Sequence, residues 1–115
     1  MDRVGTVESG FTVSVDLVGR AVRIEAWGFW PVDVCSAFGR TVVDAFRRSV
    51  GVRRLEMEAT RLKPLREEGE TAWELLLSSL PIGVEAFVVK TNSLTKLQLM
   101  RIARSVRDKS LVQFE

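Results

Sequence analysis

Two glutamates have the type and spacing that general acid–base chemistry requires. Glu56 and Glu58 are two residues apart in an alternating segment, so a β-strand would place both carboxylates on one face. Such a pair supports catalysis when a buried setting makes one carboxyl hold its proton more tightly than the other. Arg23 and Arg54 fall on the polar positions of neighbouring predicted strands. The pattern therefore favours a solvated, ion-paired face over a catalytic pair.

The sequence contains a single cysteine, Cys35, and no histidine. A thiol near a helix N-terminus becomes a nucleophile where a base stands beside it, so without histidine Cys35 is interpreted as a structural residue. The missing histidines exclude His-dependent triads and His-ligated metal sites, and one cysteine excludes an internal disulfide. No glycine-rich phosphate-binding loop is present either. We therefore expect a protein that is not an enzyme and that needs no cofactor.

Charged residues are grouped in blocks, although the net charge is only +2. Residues 40–66 carry eight basic and three acidic side chains, whereas residues 67–85 carry five acidic and no basic ones. Alternating blocks are typical of a surface that complements itself or a charged partner. Nucleic acid is a less favoured partner, because the basic run near the end lacks helix-turn-helix spacing and interleaved aromatic residues. That run comprises Arg101, Arg104, Arg107 and Lys109.

The chain has 115 residues, of which 46% are hydrophobic and 28% are charged. This length and composition are typical of one globular domain of about 100–150 residues. No apolar run approaches the ~18 residues that a membrane span needs, and residues 1–6 do not resemble the start of a signal peptide. We expect a cytoplasmic protein with a flexible segment over residues 1–10 and a domain over residues 11–115.

Hydrophobic periodicity predicts the strands that position these groups. A period of two over residues 11–17 and 22–26, with a glycine turn between them, predicts a β-hairpin. Alternation over residues 53–59 and an apolar run over residues 86–89 predict two further strands, and residues 111–114 suit a short closing strand.

Apolar residues at steps of three and four predict three helices. The first follows Pro31 and runs to about Ser49, the second begins between Pro64 and Glu70, and the third is capped by Asn92 or Ser93. The first three strands each have one polar face, so we expect a mixed α/β sheet of four to five strands with helices mainly on one face. The predicted core consists of Phe38, Phe46, Leu55, Met57, Trp73, Leu76, Phe87, Val89, Leu99 and Ile102.

This order of elements resembles the STAS domain, the fold of the anti-sigma-factor antagonists. The resemblance covers residues 11–106 and implies a non-catalytic regulatory domain that binds protein partners, such as a regulatory kinase or an anti-sigma-like protein. The alternative is a small-ligand or lipid-binding domain of the same architecture, with a pocket under the helices. The resemblance is carried by the strand over residues 53–58, the helix entered near Leu65, and Phe87-Val88-Val89 followed by Asn92-Ser93-Leu94.

One segment departs from the family pattern. STAS domains that act as phospho-switches carry an Asp-Ser-Ser-Gly-like stretch where the third strand leads into its helix, and a partner kinase phosphorylates the serine. The matching residues 63–69 read Lys-Pro-Leu-Arg-Glu-Glu-Gly and have no hydroxyl group, so the switch does not carry over. Glu67, Glu68 and Glu70 either complement the helix dipole or supply a permanent negative patch in place of a phosphate.

We predict a partner-binding surface at the loops that follow the second and third strands. The carboxyl ends of parallel strands lie at one edge of a sheet, where α/β proteins usually place their ligands. Tryptophan anchors beside an acidic helix start suit a basic partner, or the arginine-rich surface of a second copy in a homodimer. The predicted site consists of Trp27, Trp30, Leu65, Arg66, Glu67 and Glu68.

The loop before the second helix should not be a phosphorylation switch, because residues 61–70 contain no Ser, Thr or Tyr. Intact-mass measurement and peptide mapping of the native protein should show no stoichiometric phosphate on the flanking Thr60 or Thr71. A phosphate on either threonine that changes partner binding would contradict this expectation.

Overall fold

The computed structural model describes residues 1–106 and 111–115, and their elements alternate along most of the chain. They are β1 (Asp2–Gly5), β2 (Gly10–Asp16), β3 (Ala21–Gly28), α1 (Val32–Arg48), β4 (Arg54–Leu62), α2 (Glu67–Ser78), β5 (Ala86–Thr91), α3 (Ser93–Ser105) and β6 (Val112–Phe114). Of the basic run near the end of the sequence, Arg107 and Lys109 lie outside the described residues.

The six strands form one mixed sheet in the order of the sequence, from β1 to β6. The first two pairings are antiparallel, and the pairings from β3 to β6 are parallel. Each parallel connection steps to the adjacent position in the same direction, so connections of one hand bring all three helices to the same face. The predicted α/β class is confirmed, with six strands rather than four to five.

The additional strand is β1, which lies in the segment that the sequence predicted to be flexible. Asp2–Gly5 pairs with β2, in register from Asp2 opposite Val13 to Gly5 opposite Gly10. The turn between them is tight, because a Cβ on Gly5 would collide with the backbone oxygen of Ser9, and the φ angle of Gly5 is +101°. Periodicity missed β1 because an edge strand of four residues has no continuous apolar face.

The β2–β3 hairpin forms as predicted, but its turn is longer. Asp16 pairs with Ala21, so the loop comprises residues 17–20 and Leu17 lies outside the strand. Asp16 accepts a hydrogen bond from the Gly19 amide at 3.0 Å, and Arg20 takes a positive φ of 54°. The Asp16 carboxylate therefore stabilises this four-residue loop. A two-residue glycine turn would not have needed such a hydrogen bond.

Alternation places the apolar side chains of the sheet under the helices and the charged ones on the opposite face. In β3, Val22 and Ile24 are buried while Arg23 and Glu25 are exposed. The ten residues predicted as core all belong to one buried cluster. The prediction that the helices cover mainly one face therefore agrees with the burial pattern along the strands.

The ends of the helices follow local chemistry. Asn92 caps α3 as predicted, since its side-chain oxygen accepts a hydrogen bond from the Thr95 amide at 2.9 Å. Helix α2 begins at Glu67 with three glutamates in its first turn, where negative charge favours the helix dipole. None of the helices in the described part of the chain combines the length and apolar character needed to cross a membrane.

Replacing Trp73 with alanine should lower the free energy of unfolding by about 3–5 kcal/mol, because it leaves a large cavity in the core. The Trp73 ring is 1% exposed, packs edge-on against Phe87 at 5.5 Å, and donates a hydrogen bond from Nε1 to the Leu99 carbonyl. Urea unfolding followed by circular dichroism measures the effect. The control Leu94→Ala, at a side chain that is 67% exposed, should stay within about 0.5 kcal/mol of wild type. Equal midpoints for the two variants would show that the core has been misidentified.

Candidate functional site: the carboxyl edge of the sheet and the α1–α2 groove

The carboxyl ends of β3, β4 and β5 meet at one edge of the sheet, and hydrogen bonds join their connections. The Lys63 amide donates to the Gly28 carbonyl at 3.1 Å, which ties the start of the β4–α2 loop to the end of β3. The Asn92 side chain donates to the Leu62 carbonyl at 2.9 Å, and the buried Thr95 hydroxyl donates to the same oxygen at 2.8 Å. The loops at this edge are therefore held in place by side chains of α3 as well as by a backbone hydrogen bond to the end of β3.

Gln98 of α3 fixes the approach to α2. Its Oε1 accepts a hydrogen bond from the Leu65 amide at 2.6 Å, and its Nε2 donates to the Leu65 carbonyl at 2.7 Å. The same amide nitrogen donates to a carboxylate oxygen of Glu70, which also pairs with Arg101. One side chain thus satisfies both backbone groups of Leu65, so the residues that follow it have defined positions.

Trp30 is not an exposed anchor, contrary to the prediction. Its ring is 7% exposed and packs against Phe11 and Phe38 at centroid distances of 5.6 and 4.7 Å. Its Nε1 donates to the Gly10 carbonyl at 3.0 Å. Trp30 lies between β3 and α1 rather than in a strand, and it is buried because it packs on Phe11 of β2 and Phe38 of α1.

Trp27 is also buried, and it lies far from the acidic helix start. It has the strand parity of Arg23 and Glu25, which puts it on the helix-free face, but its side chain is only 7% exposed. Its Nε1 donates to the Thr6 carbonyl at 3.0 Å, and the Arg3 guanidinium carbon lies 5.6 Å from its ring centroid. The β1 segment therefore covers Trp27, and the prediction of an exposed tryptophan was wrong.

The remaining four predicted residues lie together at the start of α2. Leu65 is 9% exposed, and it packs against Gly69, where an added Cβ would come within 2.9 Å of the leucine side chain. Arg66, Glu67 and Glu68 are exposed. Three of the six predicted site residues are thus available to a partner, whereas Leu65 is buried and contributes packing at the start of α2.

The exposed aromatic residue at this edge is Phe29, which the sequence analysis did not select. Its side chain is 54% exposed, and the Arg66 guanidinium carbon lies 5.8 Å from its ring centroid, within cation–π range. Val32, at the start of α1, is 59% exposed. Periodicity could not assign these residues, because Gly28 takes a positive φ of 76° and the alternation of β3 ends there.

A surface groove of about 760 Å³ runs between α1 and α2. Both helices begin at the carboxyl edge, so Val32, Glu67 and Glu68 line the end of the groove at that edge, and Arg47 and Ser79 line the other end. Its apolar part includes Cys35, Val43, Ala72 and Leu75, and Arg40, Asp44 and Gly39 complete the α1 wall. The groove is therefore acidic at one end, apolar along its length and basic on the α1 side.

Cys35 lines this groove, but its thiol is not activated. Burial raises the pKa of Cys35, and the negative charges of Glu68 and Asp33 raise it further, outweighing the opposite effect of a backbone hydrogen bond. The Sγ atom lies 3.8 Å from the Trp30 carbonyl oxygen as a weak donor. The structural role predicted for Cys35 agrees with this setting, whereas activation by the helix N-terminus is not observed.

The paired glutamates of the sequence, Glu56 and Glu58, lie on the helix-free face, and Glu56 is ion-paired. Glu56 lies between Arg23 and Arg54, at 3.8 and 3.6 Å, and Glu58 accepts a hydrogen bond from the Thr60 hydroxyl at 2.6 Å. This is the solvated, ion-paired face that the sequence favoured. Within residues 1–106 and 111–115, no three His, Cys, Asp or Glu side chains are arranged to hold a metal ion.

The sequence fits no protein-family model, and no curated protein is significantly similar to it. Functional interpretation therefore depends on the carboxyl edge, the groove and their chemistry.

Replacing Glu68 with glutamine should lower the pKa of the Cys35 thiol, because it removes a negative charge that disfavours the thiolate. The pH profile of iodoacetamide alkylation measures this pKa through its midpoint, independently of changes in accessibility. Glu74→Gln makes the same charge change on α2 outside the groove, and its profile should match that of wild type. Identical midpoints in all three proteins would show that Glu68 does not act on the thiol.

Proposed function

We propose that this chain is a non-catalytic protein-interaction domain, similar to a STAS domain, that docks a partner in the α1–α2 groove and on the adjoining carboxyl edge. The observation that carries the proposal is Gly39, in the middle of α1. A Cβ built there would meet no atom within 4 Å, so packing within the domain does not require glycine. Glycine inside a helix costs about 1 kcal/mol relative to alanine, and it permits a close approach by another molecule.

The chemistry of the groove defines the kind of partner. A helical segment with an apolar stripe suits the space over Cys35, Val43 and Leu75, the last of which is 60% exposed. Basic residues at one end of that segment would face Glu67 and Glu68, and acidic residues farther along would face the arginines of α1. The partner is therefore an amphipathic helix with charge of opposite sign at its two ends.

The carboxyl edge extends this surface beyond the groove. Phe29 and Arg66 stand beside the end lined by Val32 and Glu67, and they form an exposed aromatic–arginine pair. Aromatic and arginine residues contribute much of the binding energy at protein interfaces, often about 2 kcal/mol or more each. The pair supplies the anchor that the sequence analysis had assigned to Trp27 and Trp30.

The STAS resemblance supports a regulatory role for this surface. The resemblance implies the fold and a tendency to bind protein partners, and phospho-switching members carry their phosphorylated serine where the third strand leads into its helix. In this chain Glu67 and Glu68 carry permanent negative charge where phospho-switching members receive a phosphate. We therefore infer that the docking surface is held in one state rather than switched by a kinase.

A small-ligand site is the second candidate, because the groove volume falls within the roughly 300–1,000 Å³ typical of ligand pockets. The groove lies on the surface between two helices rather than under them, which favours a polypeptide over an enclosed molecule. A homodimer is a further form of the first candidate, with an arginine-rich surface of a second copy facing Glu67 and Glu68.

Filling the groove at Gly39 should abolish partner binding without harming the fold. Gly39→Leu projects a side chain into the space that the partner helix would occupy, so we expect the affinity to fall by at least about tenfold. Gly39→Ala is the matched control, since it removes the same glycine and should stabilise α1 by about 0.5–1 kcal/mol while leaving the groove open.

The measurement is quantitative mass spectrometry of proteins retained from the native lysate on wild-type and variant domains, followed by titration of the purified partner. Phe29→Ala should weaken binding of the same partner, whereas Leu97→Ala on the outer side of α3 should not.

Light scattering of the domain alone detects the homodimer, which Gly39→Leu should then dissociate. If Gly39→Leu and Phe29→Ala retain every partner and every self-contact of wild type, the docking surface is elsewhere. Loss of a small molecule from the native mass spectrum of Gly39→Leu, with partners unchanged, would favour the ligand site.

A further inference from the structure

A second exposed surface lies at the opposite, amino edge of the sheet, where three connections meet. They are the β2–β3 loop, the α1–β4 turn and the α2–β5 turn. The Arg53 amide donates to the Arg20 carbonyl at 2.9 Å, and the Glu85 amide donates to the Arg53 carbonyl at 2.7 Å. These two hydrogen bonds join the three connections side by side across neighbouring strands, which lie about 4.7–4.9 Å apart.

Each connection presents an aliphatic side chain at its tip. Val18 is 98% exposed, Val50 is 95% exposed, and Ile82 is fully exposed at 104%. These are the three most exposed large apolar residues of the described chain, and Leu17, beside Val18, is 71% exposed. Single exposed apolar residues are ordinary on a protein surface, but here the highest exposures coincide at one edge.

The turns themselves do not require these residues. Each tip is followed directly by a glycine, in Val18-Gly19, Val50-Gly51 and Ile82-Gly83. Gly51 and Gly83 take positive φ angles of 84° and 105°, so the glycines supply the backbone conformation. Asn, Asp or Ser would serve the tip positions equally well and would be hydrated. The aliphatic side chains therefore have no role within the domain.

The charge of the same edge is positive. Residues 16–20, 47–54 and 79–85 contain five arginines and two carboxylates. The carboxylates are paired, Asp16 with Arg23 and Glu85 with Arg53, both at 3.0 Å. Arg48 pairs with Asp2, whereas Arg20 and Arg47 form no ion pair within the described residues. The edge therefore carries more guanidinium groups than carboxylates, and this positive charge attracts a negatively charged surface.

We propose that the amino edge docks on an anionic lipid bilayer and inserts Val18, Val50 and Ile82 into its interfacial region. Separate protruding tips gain from a deformable apolar medium, which accepts each of them without a matching pocket. A protein partner would need complementary pockets, and valine and leucine are under-represented among the dominant contacts of such interfaces. Arginines behind the tips would lie at the depth of the headgroups and bind anionic lipids.

The proposal does not require a partner in the groove, although Arg47 at the far end of the groove also belongs to the amino edge. The carboxyl edge, with Phe29 and Arg66, lies at the opposite end of the strands and would face away from the bilayer. A domain docked in this way could hold its lipid surface and its protein partner at the same time.

The test measures flotation of the purified domain with phosphatidylcholine vesicles, with and without phosphatidylserine. Wild type should float with the phosphatidylserine vesicles, and binding should fall when salt is raised, because exposed charges are then screened. The triple variant Val18→Ser, Val50→Ser, Ile82→Ser should reduce the partition coefficient by at least about tenfold, since it removes the inserted aliphatic groups.

The matched control is Val7→Ser, Leu94→Ser, Leu97→Ser, which removes three aliphatic side chains with exposures of 79%, 67% and 70% away from the amino edge. It should float like wild type, and thermal melting should show that both variants remain folded. Absence of wild-type flotation, or an equal loss in both triple variants, would overturn the proposal. So would a wild-type dimer in light scattering that the first variant dissociates while vesicles bind neither form, because a second copy would then cover this edge.

Discussion

The inner face of the sheet carries the apolar side chains of its strands, and α1, α2 and α3 exclude water from them. Removing apolar surface from water is the main stabilising contribution to folding, so the helices must return along the same face after each parallel strand. The two edges of the sheet follow from this constraint. Every connection that leaves a parallel strand lies at one edge, and every connection that enters one lies at the other.

The two edges differ in how their backbone groups are satisfied. At the carboxyl edge, Asn92 and Gln98 of α3 bond to the carbonyl of Leu62 and to both backbone groups of Leu65. The backbone that carries the exposed Arg66, Glu67 and Glu68 is consequently fixed. Binding of a partner would therefore cost little conformational entropy for ordering this segment. At the amino edge, backbone hydrogen bonds join the three turns, and the side chains at their tips are left without contacts inside the domain.

Periodicity predicted the class of the fold and the core because each strand has a single buried face. Prediction failed where residues distant in sequence decide exposure. Trp27 is on the polar face by parity, yet the β1 segment covers it. The sequence of a four-residue edge strand contains no pattern that predicts this contact. The third predicted strand ended at residue 59 because the pairing with β3 shifts there, so Ala59 and Leu62 are both buried despite their odd spacing.

The candidate site was predictable only where it follows from local sequence. The acidic start of α2 could be read from Glu67 and Glu68, because glutamates after a proline-containing loop mark a helix start. The groove could not be predicted from local sequence, because its shape depends on how α1 packs against α2. It is open at Gly39 because that residue has no side chain. The exposure of Phe29 could not be predicted either, because Gly28 takes a positive φ of 76° and ends the alternation of β3.

The order of the strands also has a consequence for how the chain folds. Each strand pairs with the next one in sequence, so every step of sheet assembly closes a loop no longer than a turn or one helical connection. The parallel pairings still require a whole helical connection to close before each strand docks, so they form more slowly than the hairpin contacts between β1, β2 and β3. A chain emerging from the ribosome can therefore add each new strand to the preceding one, without waiting for a more distant segment to be synthesised.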